Sequence, residues 1–185
     1  MTAIDRIKEA AILEFDDKGP RFTMDDLSRR LGMSKKTVYE LVGDKERLFG
    51  MLVEDAWASI KRQEAAVAAD PGLGPVEKFR RVVGIMPSLG AALDYGKVRE
   101  LEELYPDVRR RMERHLESDW DVTLGLYDDA VREGSLRRVD GQLLRLVLYS
   151  AMERLLDGEY LEASGKGYAE AMDGVLDMLV EGLRS

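Results

Sequence analysis

Residues 27–48 have the sequence LSRRLGMSKKTVYELVGDKERL, and two patterns within this stretch decide the fold. The apolar positions are spaced as in two short helices that share a small core across a tight turn. They are Leu27, Leu31, Met33, Val38 and Leu41. Six basic residues against three acidic ones give the same stretch a local net charge of +3. The second helix of such a pair is therefore expected to present a basic face to something outside the protein.

Net charge distinguishes the two parts of the chain. The whole protein carries −8 with a pI near 4.9, which by itself argues against a polyanionic partner. Residues 1–50, however, contain ten basic and ten acidic residues, so the entire excess of negative charge lies in 51–185. A docking phosphate responds to charges within about 8 Å at physiological salt. The local charge of residues 27–48 therefore decides the question, and it permits nucleic-acid binding.

Composition excludes several classes of enzyme. The 185 residues include no cysteine and one histidine, which rules out disulfides, thiol catalysis, cysteine-ligated metals and a histidine cluster. Adjacent acidic pairs diverge by about 100° on a helix and do not form a paired-carboxylate site. We therefore expect no enzyme, no metal and no cofactor. The N-terminus has neither a signal-peptide pattern nor a membrane span, and we predict a cytoplasmic protein.

Helix start and stop signals predict an N-terminal group of helices. An apolar stripe from Ile4 to Phe15 indicates the first helix. Thr23, with Asp26 three residues later, is typical of a capping box that starts the second helix, and Ser34 is a suitable cap for the third. A fourth helix over 45–70, free of internal proline, would be roughly 37 Å long. We predict that it connects two domains.

The remainder is predicted to be a helical bundle, so the fold class is all-α. Breakers over 70–75 separate the bundle from the N-terminal helices. Apolar residues spaced by three or four from Val108 to Val131 predict one continuous helix after Pro106. The last two helices, about 141–157 and 165–183, are too apolar for the surface of a monomer, which favours a homodimer formed through them.

Residues 4–55 resemble the N-terminal domain of the TetR family of bacterial transcriptional regulators. The resemblance rests on F-T-M-D-D-L-S-R-R-L-G-M-S-K-K-T-V-Y, which follows the first helix, and on G-D-K-E-R-L at the start of the fourth. It implies a helix-turn-helix DNA-binding domain over 1–50, with helix 45–70 connecting it to an effector-binding and dimerisation domain over 51–185. The partner would be an operator in double-stranded DNA.

Seven residues are candidates for contact with DNA. In a helix-turn-helix, the start of the second helix faces the bases while flanking residues hold phosphates. Base contacts are expected from Lys35, Lys36 and Thr37, and backbone contacts from Thr23, Tyr39 and Lys45, with Ser34 capping the recognition helix.

A ligand site is expected where the bundle is least regular. Gly84, Pro87, Gly90, Gly96 and Pro106 interrupt the helical pattern. Apolar and aromatic side chains with a few polar groups are typical of a small-molecule pocket. The candidates are Met86, Leu89, Leu93, Tyr105, Met112, Trp120 and Tyr149. Ordinary core packing is the competing interpretation of the same residues.

The sequence therefore predicts a sequence-specific DNA-binding regulator, a repressor that holds a pseudo-palindromic operator as a homodimer and is released by a small, mainly apolar effector. Two alternatives stay open at this stage. One is a ligand-binding helical bundle that does not use DNA. The other is an architectural DNA binder without sequence specificity, for which specific and random duplexes would bind with similar affinity.

Overall fold

The structure, a computed structural model, describes residues 1–85 and 95–184, and they form eleven α-helices. The first unit begins with α1 (Ala3–Lys18), a 3₁₀ turn (Gly19–Arg21), α2 (Met24–Leu31) and α3 (Lys35–Val42). The chain continues through α4 (Lys45–Ala69), α5 (Pro75–Val83), α6 (Tyr95–Leu104) and α7 (Pro106–Glu117). It ends with α8 (Asp121–Arg132), α9 (Gly141–Leu156), α10 (Glu159–Ser164) and α11 (Tyr168–Leu183). Within the described part there is no strand, which confirms the all-α prediction.

Two compact units divide the helices. Unit 1 contains residues 1–58 with the described part of 87–115, and unit 2 contains 59–85 with 116–184. Helix α4 therefore belongs to both units, and α6 belongs to the unit that holds α1 to α3. These units do not coincide with a division at residue 50. The functional boundaries 1–50 and 51–185 stay a prediction.

Local sequence explains the start of the first helices. Thr2 and Thr23 each accept a hydrogen bond from the backbone N–H three residues on, while the carboxylate there accepts from the threonine N–H. Both are complete capping boxes, which satisfy backbone donors that a helix leaves unpaired. The Ser34 hydroxyl accepts from Thr37 N at 3.1 Å and starts α3. The predicted caps of α2 and α3 are confirmed.

The core of unit 1 is built around Phe49. Its ring lies 6.0 Å from that of Phe15, 5.6 Å from Phe22 and 5.2 Å from Tyr105 between centroids. Such edge-on and tilted aromatic pairs contribute beyond their buried area. Ile7 and Leu27 are fully buried beside them. The aromatic cluster joins α4 to α1, to the segment before α2 and to the α6–α7 connection.

Unit 2 is held by a separate core of fully buried residues that includes Phe79, Tyr127, Leu148 and Met172. The Tyr127 hydroxyl donates to Arg137 O at 3.0 Å and accepts from Val139 N at 2.7 Å. Arg80 joins α5 to α11 through two carboxylates of α11 at 2.7 and 2.6 Å. None of the helices in the described part of the chain is long and apolar enough to cross a membrane.

The prediction of one continuous helix after Pro106 is wrong. The chain leaves helical geometry between α7 and α8, where Asp119 has a left-handed φ of 62°. The Lys61 ammonium donates to Asp119 O at 2.9 Å, and the Trp120 indole N–H donates to Leu116 O at 3.0 Å. These two hydrogen bonds satisfy carbonyls at the break, which apolar spacing alone does not reveal.

Candidate nucleic-acid interface

Helices α2 and α3 form a helix-turn-helix. Gly32 adopts a left-handed conformation with φ 64° at the end of α2, a geometry that glycine adopts without strain. The Gly32 N–H donates to Arg29 O and Ser28 O in the last turn of α2, and Met33 N donates to Ser28 O at 3.1 Å. The buried Ser28 hydroxyl donates to Met24 O at 2.7 Å. The turn therefore places Ser34 directly before α3, where Ser34 caps that helix.

Helix α3 has one buried and one open face. Val38 and Val42 are fully buried in the unit 1 core. On the other face the Lys36 side chain is 85% exposed, and its ammonium lies 3.8 Å from Glu40 in an i,i+4 pair. Tyr39 is 49% exposed, although aromatic side chains are usually covered. The open face thus carries an exposed cation and an aromatic ring whose surface is about half exposed.

Lys35 and Thr37 are already engaged within the motif. The Lys35 ammonium pairs with Asp25 of α2, which holds the start of α3 against α2. Thr37 is half-buried, and its hydroxyl lies 2.8 Å from that of Ser34. Surface ion pairs of this kind are weak, so Lys35 can exchange its partner at small cost.

The Thr23 hydroxyl has a structural role. It donates to Asp26 Oδ2 at 2.7 Å while accepting from Asp26 N at 3.1 Å. Hydrogen bonds from Lys18 and Thr23 hold the pKa of Asp26 well below its ordinary range, so the carboxylate stays ionised and keeps both bonds. A phosphate contact by this hydroxyl would have to replace its bond to Asp26.

Lys45 departs from its expected place. The sequence places it as an outward clamp for the DNA backbone, but its ammonium donates to Phe22 O and lies 4.6 Å from the Phe22 ring centroid. Phe49 and Tyr105 follow at 5.7 Å each. Burial lowers the pKa of this half-buried lysine, against the attraction of Asp26 and Glu100. The inward direction results from tertiary contacts that local sequence does not encode.

The two arginines at the end of α2 have different roles. Arg30 donates to Glu14 at 2.6 Å, and Glu14 is a buried acid of α1. Burial opposes ionisation of Glu14, but hydrogen bonds from Arg30 and Lys18 outweigh it and lower its pKa. Arg30 therefore joins α1 to α2. Arg29 is 77% exposed and lies 3.6 Å from Asp26.

Arg47 is a surface cation of the basic stretch 27–48 that is not among the seven predicted DNA contacts. Its N–H donates to Asp44 Oδ1 at 2.8 Å in the first turn of α4, and its stem crosses Gly43. An ideal Cβ at Gly43 would lie 3.0 Å from the Arg47 Cδ. Across residues 1–85 and 95–184 we find no carboxylate in ion-pair contact with its guanidinium. The sequence contains a signal for this location, because Arg47 follows Asp44 by three residues. The Asp44 carboxylate caps α4 at Arg47 N, which brings Arg47 close to Gly43 at the end of α3.

The residues predicted for a ligand site are distributed over the two units. Met86, Leu89 and Leu93 lie outside the described residues. Tyr105 and Met112 pack against the core of unit 1. The other two candidates belong to unit 2, where Trp120 is buried and Tyr149 is half-buried on α9.

The chain therefore combines a helix-turn-helix with a second helical unit, and α4 contributes residues to both units. No protein-family model matches the chain. It is 25% identical over 166 residues to an uncharacterized HTH-type transcriptional regulator, YvaF, of Bacillus subtilis, covering 90% of this chain and 87% of that protein.

Solved structures specify the fold further. A TetR/AcrR-family regulator from Thermobifida fusca superposes with a TM-score of 0.71 at 23% identity, covering 98% of both chains. FadR from B. subtilis, solved in complex with stearoyl-CoA, gives a TM-score of 0.65 at 15% identity, covering 97% of this chain and 99% of FadR. The chain has the TetR/AcrR-family fold, and its resemblance to that family is confirmed. YvaF and the T. fusca protein are both described as transcriptional regulators.

Proposed function

We propose that this protein is a sequence-specific transcriptional repressor that binds a pseudo-palindromic operator as a homodimer and is released by a small, mainly apolar effector. The observation that carries the proposal is the open face of α3. Val38 and Val42 fix that helix in the core while Lys36 and Tyr39 remain exposed on its outer side. A rigid helix with an uncovered polar face is what insertion into the major groove requires.

Individual contacts follow from the chemistry of the exposed groups. Lys36 can donate to guanine O6 and N7, and the Thr37 methyl can pack on a thymine methyl. Lys35 adds a second cation once it leaves Asp25. The Tyr39 hydroxyl suits a phosphate oxygen, which fixes the register of the helix without reading sequence.

Exposed apolar side chains on α9 and α11 support the homodimer. Leu143, Leu146 and Val147 on α9 are 55, 60 and 44% exposed, and Met178 on α11 is 73% exposed. Gly174, one turn before Met178, has no atom within 4 Å of an ideal Cβ, so another backbone can approach there. An isologous contact would bury this patch on both copies. The helix-turn-helix domains of such a two-fold dimer would bind half-sites about 34–36 Å apart or a multiple of that distance.

The effector part of the proposal rests on a solved structure of the same fold and on the sequence over 84–106, which glycine and proline interrupt. FadR of B. subtilis, which shares the fold, is described in complex with stearoyl-CoA. Among the predicted ligand-site residues that the structure describes, Trp120 is best suited to detect a bound ligand, because indole fluorescence responds to its surroundings. It lies next to the break between α7 and α8. An effector acts only if it binds the DNA-competent and incompetent states with different affinity.

Selection of bound fragments from the source genome, followed by footprinting, tests this function. A regulator protects one short pseudo-palindrome and binds it 10³-fold or more tightly than random duplex, the usual order of magnitude. An architectural binder would show a ratio near one, and a ligand-binding bundle would protect no fragment. Either of these results would refute the proposal.

A further inference from the structure

The ammonium of Lys45 lies within a cage made by three separate segments of unit 1. Phe22, just before α2, supplies both a carbonyl acceptor and the nearest ring, at 4.6 Å. Phe49 supplies a ring from α4 itself, and Tyr105 supplies one from the α6–α7 connection. Cations are attracted to aromatic faces within about 6 Å, most strongly where water is excluded. The cage therefore engages this cation inside the protein.

Two carboxylates near the cage offset part of the cost of burying the ammonium, which lowers the pKa of Lys45. Asp26 and Glu100 attract the ammonium, and Glu100 in turn pairs with Arg21 of the 3₁₀ turn. The Tyr105 backbone is fixed as well, because its N–H donates to Leu101 O at 2.9 Å. If Lys45 turned outward, the Phe22 carbonyl would lose its donor and the three rings would lose their cation.

Arg47, two residues later, has the complementary arrangement. Its guanidinium is on the surface beside Gly43, where α3 ends, and its backbone N–H is held by the Asp44 carboxylate. A planar guanidinium is well suited to phosphate oxygens because it donates two parallel hydrogen bonds. Of the two cations in the first turn of α4, Arg47 is the one whose side chain can reach a duplex without disrupting the core.

We propose that Lys45 is a positioning residue, which fixes the start of α4 against the segment before α2 and Tyr105, and that Arg47 is the cation through which α4 contacts the DNA backbone. This inference rests on the proposed function, since it assigns roles within the same interface. Lys45 then affects DNA affinity through the placement of α3 and α4. Arg47 affects it through charge.

The experiment compares Lys45→Met with Arg47→Met on one duplex over a range of salt concentrations, with thermal unfolding of each variant in parallel. A cation that neutralises one phosphate contributes about 0.9 to the slope of log K against log salt. Because the proposed homodimer carries Arg47 twice, Arg47→Met should lower the slope by about 1.8, so the affinity ratio to the wild type changes about 12-fold between 50 and 200 mM salt. Its unfolding midpoint should equal that of the wild type.

For Lys45→Met we expect the opposite pattern. The slope is unchanged, operator affinity falls by the same factor at every salt concentration, and the midpoint falls by roughly 4 to 8 °C because a charged hydrogen bond and the ring contacts are lost. Conservative variants sharpen the comparison. Arg47→Lys should keep the wild-type slope, whereas Lys45→Arg should not restore the midpoint, because a guanidinium is larger than the ammonium that the three rings and the Phe22 carbonyl contact.

If Lys45→Met does not fold, Tyr105→Leu opens one wall of the cage and keeps the charge. It should lower the midpoint and leave the slope unchanged. The proposal is overturned if Lys45→Met loses as much slope as Arg47→Met at an unchanged midpoint, or if Arg47→Met keeps the full slope. Slopes can be measured on any duplex that the protein binds, so a failure to prefer one operator counts against the proposed function alone.

Discussion

Replacing Leu146 by alanine separates the proposed dimer contact from the internal core of unit 2. Leu146 lies on α9 with 60% of its surface exposed in the single chain. Full burial of a leucine side chain is worth about 1.5–3 kcal/mol, so covering the exposed part contributes about 1–2 kcal/mol. An isologous interface contains the residue twice. Leu146→Ala should therefore weaken the dimer by about 2–4 kcal/mol, which is roughly 30- to 700-fold in dissociation constant.

Leu148, two residues further along α9, is the matched control. It is fully buried within its own chain. Leu148→Ala should lower the free energy of unfolding by about 2–5 kcal/mol, the usual cost of truncating a buried leucine. Sedimentation equilibrium over a concentration series measures dimer dissociation, and denaturant unfolding at low protein concentration measures the stability of the separated chain.

The reasoning predicts a separation of the two effects. Leu146→Ala should dissociate at higher concentration than the wild type while the isolated chain keeps its stability. Equal dissociation constants for the wild type and Leu146→Ala would place the interface elsewhere. A wild-type protein that sediments as a monomer at all concentrations would refute the dimer itself.

Four further substitutions test other parts of the account. Lys36→Ala should weaken operator binding and change base preference, by about 1–3 kcal/mol at the base pair it reads, as measured by selection from randomised duplexes. Because its pKa is lowered below the ordinary 4.5, ionised Glu14 stabilises the fold above that pH and loses this contribution as pH falls through its folded pKa. Glu14→Gln should accordingly reduce the difference in unfolding free energy between pH 7 and pH 3. Gly174→Leu has open space in the single chain and should fold normally yet sediment as a monomer. Trp57 and Trp120 are the two tryptophans of the chain, so a Trp57→Phe variant reports on Trp120 alone. In that variant a small, mainly apolar effector should quench fluorescence and weaken operator binding, and Trp120→Ala in the wild-type background should reduce the effect on operator binding; an unchanged signal would count against a ligand near Trp120.

Local chemistry made most of unit 1 predictable. Thr23, Gly32 and Ser34 each have a side chain or conformational freedom that suits a helix end, and the structure uses each of them there. The long helix α4 was also predictable, because no proline interrupts it. Signals of this kind act over a few residues, so a single sequence is sufficient to detect them.

The remainder depended on contacts between distant residues. Leu116, Trp120 and Leu124 keep a spacing of four across the break between α7 and α8, so periodicity predicts a helix where Asp119 is left-handed. Lys61, 58 residues away, supplies a hydrogen bond that the break uses. The direction of Lys45 likewise depends on Phe22 and Tyr105, which no local pattern connects to it.

The buried carboxylate of Glu14 constrains which substitutions the helix-turn-helix domain can accept during evolution. Glu14 is almost fully covered, and Arg30 of the next helix supplies its charged partner. Replacing Arg30 alone removes one of the two cations that contact buried Glu14 and leaves Lys18 as the other, while replacing Glu14 and Arg30 together by apolar residues of similar volume need not destabilise the fold. Substitutions at the two positions should therefore occur in pairs. Among proteins with this helix-turn-helix domain, positions 14 and 30 are expected to covary, and a chimera that combines α1 from one regulator with α2 from another should be more stable when the pair is matched.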